Sequence, residues 1–174
     1  THRPARFTDL RTLGRSQRVT NIEIKARCPD LDRTRDTARR LGAREAAVLI
    51  QTDVYFRVAR GRLKLRMFDS GPGELIYYER PDDQGLRRSD YFISPVEDPV
   101  RERAVLEGAL GVRVIVCKRR ELWLLDGIRI HLDEVDDLGR FIEFEVLVRE
   151  GEGESEEERR RVADTLCAEF GVAR

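Results

Sequence analysis

At 174 residues the chain is long enough for one domain with a substantial core, and 33 Lys and Arg balance 33 Asp and Glu, so net charge points to neither nucleic acid nor a membrane surface. Cys28, Cys117 and Cys167 are odd in number and contain no CxxC pair, which argues against a disulfide framework or a zinc site and suits a reducing cytoplasm. No apolar run approaches the roughly 18 to 20 residues needed to span a bilayer, so a soluble protein is expected.

Residues 1–18 are basic, carry Pro and Gly and lack periodicity, and are read as a flexible arm before a single domain over 19–174. From Val19 to Arg27 the residues alternate, with Ile22 and Ile24 on one face and Asn21, Glu23, Lys25 and Arg27 on the other, as in a half-buried strand. Asp30 is a helix cap, Leu31, Arg35, Ala38 and Leu41 form an inner stripe, and Gly42 is a stop. Val48–Val58 is rich in β-branched and aromatic residues and reads as a strand. Hairpin strands follow at 62–68, 75–80 and 86–93, separated by the turn signals Gly71-Pro72-Gly73 and Asp82-Asp83-Gln84-Gly85.

Residues 95–110 read as a helix with Val100, Ala104, Leu106 or Val105, and Leu110 inward and Gly111 at its end. Val112–Cys117 is an apolar strand ending in Lys118-Arg119-Arg120, and a further strand, 122–125, leads to the turn Asp126-Gly127. Ser155–Glu158 resembles a capping box before a helix whose stripe is Val162, Ala163, Leu166 and Phe170.

The most informative stretch is Arg129–Val146, two strands around a turn at 136–139. Arg129, His131 and Asp133 share a face of the first, and Glu143 and Glu145 a face of the second, while Ile130, Leu132, Ile142 and Phe144 face the opposite way. Alternating charge is commonly the wet side of a sheet. Like charges at alternate positions repel, however, and a hard divalent cation with oxygen ligands would relieve Glu143 and Glu145. Arg62, Lys64, Arg66, Arg80, Arg88, Lys118, Arg120 and Arg129 form a basic set with the same parity, against Glu23, Asp133, Glu143 and Glu145. The sum is an α+β fold of about eight antiparallel strands and three helices. Such a sheet could stay open with its charges in water. Helices at three points along the chain favour the alternative, a closed barrel with a charged interior and helices covering an apolar outside.

The words NIEIKAR (21–27), QTDVYFRV (51–58), GRLKLR (61–66), YYERPD (77–82), RRSDY (87–91), KRREL (118–122) and IHLDEVDDLGRFIEFEV (130–146) occur in an order that resembles the CYTH superfamily, the triphosphate tunnel metalloenzymes. Within it, the wording is closest to the bacterial class IV adenylyl cyclase, or CyaB-like, branch. The family's Glu-x-Glu-x-Lys strand stands here as Asn21-Ile22-Glu23-Ile24-Lys25, so its first Glu is replaced by an amide. The resemblance implies a closed tunnel whose acidic side is Glu23, Asp133, Glu143 and Glu145, binding Mg2+ or Mn2+. Its phosphate-binding side would be Lys25, Lys64, Arg66, Arg80, Arg88, Lys118 and Arg120.

The implied activity is metal-dependent hydrolysis of tripolyphosphate, nucleoside triphosphates or thiamine triphosphate by metal-activated water, with broader phosphoesterase action as an extension. Glu23, Glu143, Glu145 and His131 are the candidate catalytic groups. The alternatives are cyclisation of ATP to cyclic AMP and pyrophosphate, and a non-catalytic polyphosphate- or nucleotide-binding module. His131 could shuttle a proton, hold a phosphate or make a structural hydrogen bond. The expected partner is a small phosphorylated molecule, with a homodimer left open.

Overall fold

The computed structural model describes residues 17–79, 87–148 and 156–172. Among the described residues eight antiparallel strands carry three helices: β1 (Gln17–Arg27), α1 (Leu31–Arg40), β2 (Arg44–Phe56), β3 (Arg62–Phe68), β4 (Gly73–Glu79), β5 (Arg87–Val96), α2 (Pro99–Leu110), β6 (Val112–Leu125), β7 (Ile128–Val135), β8 (Gly139–Val148) and α3 (Glu156–Phe170). The pairing order β1-β5-β4-β3-β2-β6-β7-β8 runs full circle as a closed barrel, because β8 pairs back with β1. Of the stretch read as an arm, residues 1–16 lie outside the described residues, while 17 and 18 already belong to β1; Ser155, read as the start of a capping box, also lies outside them.

Strand alternation sorts the side chains. Ile24, Ile130, Leu132, Ile142 and Phe144 point outward into a core closed by Leu31 and Ala38 of α1 and Ala163, Leu166 and Cys167 of α3. Each such side chain, taken from water, contributes about 1.5–3 kcal/mol. Phe170 adds a tilted ring contact with Phe144, centroids 5.2 Å apart. A second apolar cluster, Val54, Phe56 and Leu65, is covered by Leu106 and Leu110 of α2. The charged positions of the same strands are thereby turned to the inside.

Local signals act where the sequence puts them. Asp30 caps α1 by accepting a hydrogen bond from the Arg33 amide at 3.0 Å. Asp126 and Gly127 both have positive φ, as a two-residue hairpin turn demands, and join β6 to β7. Gly61 combines φ +67° with the Tyr77 hydroxyl 2.7 Å from where a Cβ would stand, so a side chain there would be strained and would have to displace the Tyr77 ring.

Four sequence expectations need correction. Helix α2 starts at Pro99, capped by Asp98, because residues 95 and 96 still pair with β4. On that helix Val100, Ala104 and Val105 are exposed, leaving Leu106 and Leu110 as its inner contacts. Lys118-Arg119-Arg120 does not end a strand. β6 continues to Leu125 along β2, since Lys118 and Arg120 point into the barrel and find carboxylates there. Strand β2 likewise begins at Arg44, with a register shift between Glu45 and Ala47 that hides its alternation. Among the described residues no helix is long and apolar enough to cross a membrane.

Candidate active site

The barrel encloses a cavity of about 610 Å3 lined by residues of every one of its strands. Cross-strand register builds its acidic wall. His131 of β7 lies opposite Glu143 of β8, which lies opposite Lys25 of β1; one step along, Arg129 is opposite Glu145, which is opposite Glu23. One ligand atom from each of His131, Glu143 and Glu145 falls within 4.8 Å of the other two.

Asp133 is fully buried and engaged differently. Arg120 grips it bidentately, Nε to Oδ1 and Nη2 to Oδ2, both at 2.7 Å, while Lys25 reaches Oδ2 at 3.2 Å. Arg120 Nη2 also donates to Glu143 Oε2 at 2.8 Å, and Lys25 meets the same oxygen at 3.5 Å. The arginine therefore ties the buried Asp133 to Glu143 of the acidic wall.

The basic wall has a carboxylate that sequence reasoning passed over. Asp53 of β2, 1% exposed, accepts from Lys64 Nζ at 3.0 Å, from Arg66 Nε at 2.8 Å and Nη2 at 3.1 Å, and from Lys118 Nζ at 3.3 Å. The signal was present: Gln51, Asp53 and Tyr55 alternate with Thr52, Val54 and Phe56. Tyr78 lines the cavity together with Tyr55, Arg62 and Tyr91. Arg80 and the side chains of Arg88 and Asn21 lie outside the described residues.

Burial and neighbours set the charge states. Burial disfavours ionisation of Glu143, yet Arg120 and Lys25 hold its carboxyl well below the usual range. Glu145 moves the other way, because burial and the charge of Glu143 both push it up. Burial drives the His131 imidazole well below its ordinary value, aided by Arg120, so it is neutral. Lys118 is pushed down to about 7 by burial and by Arg120 and Arg66, against the pull of Asp53. An incoming phosphate would restore its proton, so tripolyphosphate affinity is expected to fall as pH rises from 7 to 9. A Lys118→Arg variant, permanently charged, should flatten that slope in isothermal titration.

On the outer face, Glu121 receives Arg35 of α1 through Nε at 2.9 Å and Nη2 at 2.8 Å, and Arg119 at 2.6 Å. The hydrogen bond from Arg35 leads in holding its carboxyl down, to about 2 against an ordinary 4.5. A depressed carboxyl stabilises the fold fully above its unfolded value and loses that contribution as pH falls toward the folded one. Unfolding stability should thus drop between about pH 4.5 and 2, and urea midpoints across that window should fall less steeply in Glu121→Gln.

The described residues thus form an antiparallel ring with helices outside and acidic and basic side chains lining one cavity inside. The CYTH domain model matches residues 20–165, and the chain belongs to that family. No curated protein matches it. Among solved structures, the PH1012 protein of Pyrococcus horikoshii OT3 is similar with a TM-score of 0.74 and 23% identity, covering 88% of this chain and 91% of that one. A candidate adenylate cyclase from Vibrio parahaemolyticus gives 0.70 and 18%, over 87% and 88% of the two chains. HpAC1 from Hippeastrum, described as a candidate adenylyl cyclase with a dominant triphosphatase activity, gives 0.60 and 16%, over 87% and 88%. At these identities the likeness is one of fold.

Proposed function

We propose that the chain is a divalent-metal-dependent phosphohydrolase acting on triphosphates inside a closed tunnel. The observation that carries this reading is the opposition, across one cavity, of His131, Glu143 and Glu145 to Lys64, Arg66 and Lys118. Two adjacent, partly buried carboxylates, one of them pushed toward protonation by burial and by the other, fit a cation between them. Glu23, Glu143 and Glu145 would hold it, and Mg2+ or Mn2+ bound there supplies charge neutralisation at phosphate oxygens and a more acidic water.

The remaining work belongs to the chain's own residues. Arg66 offers a planar fork and Lys64 and Lys118 offer point charges to the phosphate oxygens, taking over from Asp53, which keeps the three cations assembled beforehand. Asp133 aims Arg120 and Lys25 at the boundary between the walls, where charge accumulates during phosphoryl transfer. The three free cysteines suit a reducing cytoplasm.

Cyclisation of ATP is the second reading, supported by Tyr55, Tyr78 and Arg62 beside the basic wall, where a nucleoside could rest. The test is incubation with tripolyphosphate, ATP and thiamine triphosphate, with Mg2+ and separately Mn2+, resolving products by chromatography. Phosphate release without cyclic AMP is the expected result. Cyclic AMP with pyrophosphate would give the site to the cyclase reading, and metal-dependent binding without turnover would leave a binding module.

A further inference from the structure

The buried imidazole on the acidic wall has an atom that the fold leaves unanswered. His131 is 5% exposed, and its Nδ1 has no hydrogen-bond partner among the described residues. An unpaired buried polar atom costs about 1–3 kcal/mol, so its position calls for a ligand. The nearest carboxylate oxygen, Oε1 of Glu145, lies 3.7 Å away, too far for a hydrogen bond. Two ligand atoms that each sit about 2.1 Å from one ion stand roughly 3 to 4 Å apart, so the separation suits a shared cation. The β7–β8 register sets His131 directly opposite Glu143, and Phe144 and Ile130 pack the strands from behind. The imidazole is therefore presented from a rigid element.

We infer that His131 is a nitrogen ligand of the metal site and makes it select a first-row transition ion over Mg2+. The inference rests on the metal-dependent reading above and adds the identity of the ion. Mg2+ keeps oxygen ligands and its own waters, whereas transition ions accept imidazole readily. A carboxylate-only site would leave the choice to supply. One nitrogen donor changes that preference without altering the charge of the wall, since the imidazole is uncharged when it coordinates.

The test uses the full chain stripped of metal and loaded with Mn2+. Free Mn2+ is titrated by electron paramagnetic resonance, Mg2+ is added as competitor, and pulsed measurements on the loaded protein look for 14N modulation. The expected result is a directly coordinated nitrogen and a Mn2+ affinity at least about tenfold above that for Mg2+. In His131→Asn the nitrogen signal should vanish and Mn2+ affinity fall about tenfold or more, with Mg2+ affinity little changed. Bound Mn2+ with no nitrogen coupling in the unaltered chain would overturn the role of His131 and leave the carboxylate site standing. Absence of Mn2+ binding would overturn the metal site itself, and with it this inference. The wild-type spectrum decides even if the variant fails to fold.

Discussion

Glu145→Gln is expected to reduce metal-dependent phosphate release by about 10²-fold or more while leaving the melting temperature of the metal-free protein unchanged or higher. The two effects separate because they have different causes. On the proposed reading activity needs the carboxylate as a cation ligand, whereas the metal-free fold does not favour its ionisation: Glu145 is largely withdrawn from solvent, its carboxyl is pushed up by burial and by Glu143, and Arg129 stands 3.6 Å away. A neutral isostere relieves the repulsion.

Glu143→Gln should abolish turnover to a similar degree but destabilise the protein. Its oxygen is a hydrogen-bonded partner of Arg120 and Lys25, and charged hydrogen bonds contribute about 1.5–3 kcal/mol. Circular dichroism melts beside phosphate-release assays read both quantities. Unchanged activity in both variants would reduce the β7–β8 hairpin to a wet sheet face.

Asp53→Ala should produce the largest loss of stability. Removing the carboxylate leaves Lys64, Arg66 and Lys118 buried together without their common partner, and orphaning buried charge costs about 3–5 kcal/mol. For a chain of this size that lowers the melting temperature by about 10 °C or more. Added tripolyphosphate should restore more stability to the variant than it adds to the wild type, because the anion can occupy the place of the lost carboxylate. A melting temperature within 2 °C of wild type would mean that water already screens the three cations and that Asp53 does not assemble them.

These three carboxylates also mark the limits of what the sequence discloses. Glu143 and Glu145 were legible because period-two alternation continues unbroken through Ile142–Val146, and because like charges on one face ask for a counter-ion. Asp53 was not singled out, although it follows the same rule, since Gln51 and Tyr55 on its face are uncharged and the strand around it reads as ordinary β-branched packing. Lys118 and Arg120 were assigned to the basic wall, yet the charges around them were read as the end of a strand. Only pairing with β2 on one side and β7 on the other carries β6 through them.

Strand and helix identity, the outward apolar face and the inward charged one follow from the order of residues, because alternation at period two and capping at helix ends are local. Which charges meet is not local. Lys25 reaches Asp133 across 108 residues, and Lys118 reaches Asp53 across 65. Those distances depend on register and on the return of β8 to β1, so the opposition of walls and the unanswered nitrogen of His131 belong to the tertiary structure alone.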